Sequence, residues 1–231
     1  MLSGILLQIT QSTVITSPTS TVVHSKPNII ELVVKGGPIM IPIGLLLLVS
    51  VFIFFERYFT IRKASRGDDK FMLNIRDYMV NGNMPAAKML CKNTDTIISR
   101  MIEKGISRIG RPIREIEGAI ENEGKLEIYK MEKNLAVLNI VAGIAPMLGF
   151  LGTIFGVIII FYDISIQKTF DIDTISGGLY VKMVTSASGL LVGIIAFIAH
   201  HYLTIMIDRV INKMQINAVD FIDLLFEPAE N

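Results

Sequence analysis

The sequence predicts an all-α membrane protein with three transmembrane helices and long helices extending into the cytoplasm. Three observations carry this. Of the 231 residues 51% are hydrophobic and the mean hydropathy is +0.54, which leaves polar sequence for about one modest soluble region. Apolar stretches at 38–55, 135–162 and 177–201 are each long enough to cross a hydrocarbon core roughly 30 Å thick. Between the first two, residues 56–134 alternate apolar and charged side chains at helical spacing.

Residues 1–37 are rich in Ser and Thr and lack the cationic start of a secretory signal, so they are expected to be an extracytoplasmic lead-in. Asn28 to Lys35 has the pattern of a short surface helix, stopped by Gly36, Gly37 and Pro38. The first transmembrane helix, 38–55, has no stripe of small residues and only Ser50 as a polar interior group, which suits a lipid-facing post. Glu56, Arg57, Arg62, Lys63 and Arg66 follow it at once, whereas the connection at 163–176 holds a single cation, Lys168. Positive charge beside a span marks the cytoplasmic side. The expected topology is multi-pass, with an extracytoplasmic N-terminus and a cytoplasmic C-terminus. Glu56 and Arg57 then form an interfacial pair.

The cytoplasmic segment 56–134 predicts helices near 68–80, 84–92 and 95–109 and a long one from Ile113. The breaks are Asn81-Gly82-Asn83 and Gly110-Arg111-Pro112, and Pro85 and Pro112 suit first helical turns. No strong stop precedes Asp163, so the long helix is expected to run unbroken into the second span, 135–162, reaching ~75 Å. A periplasmic loop at 163–176 leads to the third span, 177–201, with His200 and His201 near its cytoplasmic end. Beyond His201 the chain continues as a cytoplasmic C-terminal helix at 202–231, which carries the apolar Phe221, Leu224, Leu225 and Phe226 and stops at Pro228.

The second and third spans share one design. At 100° per residue, Ala142, Ala145, Pro146, Gly149, Gly152, Thr153 and Gly156 fall within roughly a third of the helix circumference, with Met147, Phe150 and Ile154 on the other side. On the third span Lys182, Ser186, Gly189, Gly193, Ala196 and His200 share a face. Lipid gives apolar helices no hydrophobic reason to associate, so small-residue grooves signal close packing or a lined passage. The spans run antiparallel. Thr153 lies ten residues before Asp163 and Ser186 nine after Gly177, which puts both hydroxyls about 15 Å below one interface.

Other chemistry is thinly represented. A net charge of +1 carries no message about nucleic acid, and the lone Cys91 has no metal-ligand spacing with the three histidines. No phosphate loop, nucleophile elbow or metal cluster occurs, so neither an enzyme nor a cofactor or metal is expected. Between Asn134 and Asp163, and between Met183 and Ala199, there is no Asp, Glu, His, Lys or Arg. Hydroxyls hydrogen-bond ions or water but do not exchange charge at ordinary pH, so proton passage would need a carboxylate from elsewhere. A secondary transporter is disfavoured by the absence of an internal repeat. A non-conducting membrane scaffold stays open as an alternative.

Ala145-Pro146-Met147-Leu148-Gly149-Phe150-Leu151-Gly152-Thr153 resembles the second-span signature of the MotA/TolQ/ExbB proton-channel family, in its three-span ExbB and TolQ branch. Met101-Ile102-Glu103-Lys104-Gly105, Glu132-Lys133-Asn134-Leu135, Glu56-Arg57 and Thr185-Ser186-Ala187-Ser188-Gly189-Leu190 resemble the same branch in the right order. The resemblance implies a homo-oligomeric ring, a pentamer in the better-known members, around an ExbD- or TolR-like single-span partner carrying a membrane aspartate. It also implies a TonB- or TolA-like transducer and proton-driven work on the envelope: outer-membrane transport, envelope maintenance, or a stator of gliding or flagellar type. Thr153, Ser186 and Thr185 become the ion-pathway residues, and Ala145, Pro146, Gly149, Gly152, Gly156, Lys182, Gly189 and Gly193 the packing or lumen face. One departure stands out: where many relatives have a carboxylate five residues before the second hydroxyl, this chain has Val181, with Lys182 beside it.

Overall fold

The chain turns into its first helix at Gly37, whose φ of +81° suits a residue without a Cβ, and at Pro38. The computed structural model describes residues 36–65, 70–167 and 172–226. The surface helix expected at Asn28 to Lys35 and the stop at Pro228 lie outside the described residues. Helix α1, Met40–Ala64, buries Met40, Ile43, Ser50, Ile53, Arg57 and Ile61, a stripe spaced mostly by three, four or seven. Ile41, Leu48, Phe52 and Phe59 point outward. It is thus lipid-facing on one side only, and it runs nine residues past the expected end at 55. Nothing in Glu56–Ala64 breaks a helix, and Arg62 and Lys63 in the last turn complement its dipole.

Four helices make the segment between the first two spans: α2 (Phe71–Val80), α3 (Met84–Thr94), α4 (Ile97–Ile106) and α5 (Ile113–Glu132). Asn83 caps α3 by accepting the Ala86 N–H at 3.2 Å, with Pro85 in the first turn. Helix α4 starts two residues later than expected because Asp95 is left-handed (φ 39°) and Thr96 and Ser99 form a reciprocal cap. It also stops earlier, at Ile106, in a turn that ends on Gly110 (φ +92°). Gly105 lets α4 approach its neighbours: a Cβ there would stand 2.7 Å from Phe221 and 2.8 Å from Ile120.

The expected unbroken helix from Ile113 is interrupted. Helix α5 ends at Glu132, Asn134 takes a left-handed φ of 66°, and α6 (Leu135–Gln167) begins directly after it. Asparagine tolerates that region better than most residues, and with Lys133 extended beside it (φ −49°, ψ 134°) two residues interrupt the helix without a loop. The opposite correction applies further on. Helix α6 continues through Asp163 to Gln167 and α7 resumes at Ile172, which consumes most of the loop expected at 163–176. Gly177 and Gly178 lie inside α7, not before it. Beyond His201 the helix continues without a break: α7 is one helix of 55 residues, Ile172–Phe226, because between His201 and Phe226 the sequence offers neither Gly nor Pro.

α6 and α7 form the main packing pair, α1 lies against both, and the lower half of α7 reaches α5 and α4. There Phe221, fully buried, joins Ile75, Ile102 and Ile120 in the core. A polar cluster locks α4 to α5. Arg100 grips buried Glu127 through Nε at 3.2 Å and Nη2 at 2.9 Å and reaches Asp95 at 2.6 Å, while Lys130 Nζ donates to Glu127 at 2.7 Å. Burial pushes the Glu127 carboxyl up, but hydrogen bonds and charge from Arg100 and Lys130 outweigh it and hold the group below its ordinary value. A carboxylate depressed in the folded state contributes stability that is present above its unfolded pKa of about 4.3 and lost as pH falls through the folded value. Thermal unfolding of the detergent-solubilised protein should therefore show stability falling as pH drops below about 4.5. Glu127→Gln should flatten that dependence and cost about 1–3 kcal/mol at neutral pH.

Candidate ion-pathway site

Helices α6 and α7 touch backbone to backbone. A Cβ on Gly189 would lie 2.6 Å from the Ala145 carbonyl oxygen and 2.9 Å from the Gly149 Cα, and one on Gly149 would lie 3.0 Å from the Ser186 carbonyl oxygen. Toward the connection the pairing continues as Gly152 against the Thr185 methyl at 3.1 Å and Gly156 against the stem of Lys182. In the other direction Gly193 faces the Pro146 ring and the Ala142 carbonyl, 3.0 Å from where its Cβ would be. Proline explains this last contact. Pro146 has no N–H to give the carbonyl four residues back, so that oxygen is left to the bare backbone of Gly193. The two small-residue faces predicted from sequence thus meet each other within one chain.

The same register settles the hydroxyls. Gly152 is level with Thr185, so on these antiparallel helices Thr153 sits about one residue from the level of Thr185 and about two, or ~3 Å, from that of Ser186. Their surroundings differ. Thr185 is 1% exposed and its hydroxyl donates to the Gly36 and Val181 carbonyls, both at 3.2 Å. Ile39 comes within 3.4 Å of where a Gly152 Cβ would be, so the start of α1 covers this level of the groove. Thr153 and Ser186 are half-buried. Thr153 Oγ1 donates to the Phe150 carbonyl at 2.6 Å, the local back-bonding common for helical hydroxyls. Ser186 makes no hydrogen bond among the described residues. Lys182 is half-buried over Gly156 and makes no ion pair among the described residues.

At the other end of the first span Glu56 is half-buried and Arg57 buried. Arg57 Nη2 donates to Glu56 at 2.7 Å and Nη1 to the Lys130 carbonyl at 3.1 Å. Sequence reasoning missed this second contact, which joins residues 73 apart. It also missed the burial of Thr185 under Gly36. The one available signal was the Gly36-Gly37-Pro38 turn, which reads as a stop and does not reveal what the turn rests on.

The glycine contacts rank substitutions. Gly189→Ala should destabilise most, because its methyl would meet fixed backbone on both sides. Gly149→Ala should follow. Gly156→Ala meets only the flexible Lys182 stem, and Gly143→Ala, with nothing within 4 Å, should be neutral within about 0.5 kcal/mol apart from a gain in helix propensity. Melting of the solubilised variants checks the order; equal effects at Gly143 and Gly189 would contradict it.

Residues 93–216, which carry α5, α6 and most of α7, match the MotA/TolQ/ExbB proton channel family. A protein of Methanothermobacter thermautotrophicus described as an ExbB homologue in biopolymer transport is 26% identical over 189 residues, 81% of this chain and 67% of its own. The biopolymer transport protein ExbB of Helicobacter pylori is 36% identical over 86 residues, 37% of this chain and 59% of its own. An ExbB-like biopolymer transport protein of Synechocystis is 22% identical over 209 residues, 89% and 79% of the two chains. The matched family region contains the close α6–α7 contact, both half-buried hydroxyls and the α5–α6 break, and the chain belongs to the MotA/TolQ/ExbB proton channel family.

Proposed function

We propose that the chain is the ring-forming subunit of an inner-membrane proton channel that uses the proton motive force to energise envelope processes such as TonB-dependent outer-membrane transport. The partner is an ExbD- or TolR-like single-span protein bearing a membrane aspartate, and the output passes to a TonB- or TolA-like transducer. The observation that carries the reading is the pair Thr153 and Ser186. They are half-buried at neighbouring levels of two packed spans whose stretches 135–162 and 183–199 contain no Asp, Glu, His, Lys or Arg. A proton crossing there needs a carboxylate at depth, because a bare charge is costly in lipid. An aspartate supplied by a partner accepts hydroxyl hydrogen bonds when charged and releases them when protonated. Each proton then delivers about 2.3 kcal/mol per 100 mV.

One copy cannot enclose a passage, since its own small-residue faces are spent on each other. A closed ring of identical subunits, a pentamer by family resemblance, gives the partner's span a lumen, and native mass spectrometry in mild detergent should show that oligomer; a monomer as the sole species would sink the ring. Thr153→Val with Ser186→Ala deletes the hydroxyls at nearly constant shape. Loss of charge-assisted hydrogen bonds contributing about 1.5–3 kcal/mol should lower proton flux, followed by a pH dye in vesicles containing chain and partner, by about tenfold or more at normal complex abundance. Full flux in the double variant would show that the two hydroxyls are packing elements, the reading the Thr153 to Phe150 hydrogen bond supports.

The proposed topology has its own test. Cys91 is 1% exposed, and burial, then the nearby Glu103 charge, push its thiol up to about 12, so the native thiol should resist maleimide on either side. Lys88 on α3 is exposed. Lys88→Cys in a Cys91→Ala background should be labelled by a membrane-impermeant maleimide only after the inner membrane is opened; labelling of intact spheroplasts would reverse the orientation.

A further inference from the structure

Arg57 stands two residues beyond the apolar stretch 38–55, where an arginine ordinarily extends its head into interfacial water. It does the reverse. The residue is 6% exposed, and its Nε is buried without a hydrogen-bond partner among the described residues. A buried donor left unmade is expensive, so the guanidinium is held inward by what its other nitrogens grip. Those are the Glu56 carboxylate at 2.7 Å and the Lys130 carbonyl at 3.1 Å.

The Lys130 carbonyl belongs to the last turn of α5. In a continuous helix it would accept the N–H of Asn134. With Asn134 at φ 66°, it is instead one of the terminal carbonyls that a helix end leaves without an intrahelical donor and that carry the negative pole of its dipole. A guanidinium fits such an end in charge and in geometry. Lys130 is held at its other end as well, since its Nζ donates to Glu127 at 2.7 Å and Glu127 is gripped by Arg100. Both the side chain and the carbonyl of one residue in the final turn are therefore fixed, the first by α4 and the second by the first membrane helix. The chain bends three residues later.

We infer that Arg57 is the positioning residue of the α5–α6 joint: by capping α5 at Lys130 from the first span, it sets the angle at which the second span, with Thr153, leaves the cytoplasmic helices. The inference does not depend on which ion passes or which partner binds. Its mechanism is competition for one carbonyl. Without the guanidinium, the Lys130 oxygen regains most by accepting the Asn134 N–H, which draws Asn134 out of the left-handed region and straightens the joint.

Spin labels at Glu121→Cys and Met147→Cys, both exposed positions, measure the joint by pulsed dipolar spectroscopy on the full chain in nanodiscs. The background is Cys91→Ala, and excess unlabelled chain isolates the intrachain distance. An unbroken helix separates these positions by ~39 Å between Cα atoms, and the native chain should give a narrower and shorter distribution. Arg57→Leu should move the distribution toward the unbroken value or at least double its width. Arg57→Lys, whose single ammonium cannot reproduce the fork between Glu56 and Lys130, should fall between. Ile61→Ala, one turn further along α1 and equally buried, removes packing but no cap and should leave the distribution as in the native chain. If Arg57→Leu does not accumulate, Arg57→Lys decides alone. A native distribution in the arginine variants that accumulate, or a change in Ile61→Ala as large as theirs, would overturn the assignment.

Discussion

The α6–α7 contact at Gly149 and Gly189 sets the geometry of everything within the membrane. Neither helix gains from hiding its apolar face in a solvent that is itself apolar, so association rests on dispersion across a close fit, and the fit exists only where side chains are missing. The register that brings these glycines together places Thr153 within about two residues of the level of Thr185 and Ser186, lays Lys182 across Gly156 and brings Pro146 onto Gly193. The turn leading into α1 adds Ile39 and Gly36 at the same level. Its chemical variety is thus concentrated along one seam, and the outward faces of all three spans are Leu, Ile, Phe and Met.

Family membership and the seam constrain one another. A small-residue seam alone would serve any tightly packed helix pair, and Thr153 spends its hydroxyl on its own helix as a packing residue would. Ser186 differs. It lies beside the tightest backbone contact, half-buried and without a hydrogen bond among the described residues, a polar group kept at depth for no structural return. Lys182 is the other such group. Its stem occupies the space that Gly156 leaves, and its ammonium stands one residue from Val181, the position at which the family resemblance leads one to expect a carboxylate.

Much of this was legible in the sequence, and the legible parts share a cause. Periodicity at 3.6 residues reports faces, and it identified the stripes on α6 and α7 because each stripe is a property of one helix read by itself. Asn83 and Pro85 announced α3 for the same local reason. What could not be read were contacts across long separations. Nothing near Arg57 indicates that its head turns inward to residue 130, and nothing near Thr185 indicates that Gly36 lies on it. Helix ends were misjudged in both directions. The unbroken helix through 133–134 was expected because Asn is a weak break signal compared with Gly or Pro, and the loop at 163–176 because Asp163, Asp171 and Asp173 look polar. A polar stretch free of breakers is an ordinary helix once it leaves the membrane.

The 55 residues of α7 form a rod of ~82 Å with no proline, and its glycine contact with α6 is far from its middle. Gly189 lies 17 residues from Ile172 and 37 from Phe226, arms of ~26 and ~56 Å. Pivoted at that contact, the helix is an unequal lever: each ångström of tilt at the short arm displaces Phe221 and its neighbours by about two. Because Phe221 is wedged against Gly105 of α4, the long arm ends inside a packed core. A rocking of the α6–α7 pair would therefore reach α4 amplified rather than damped.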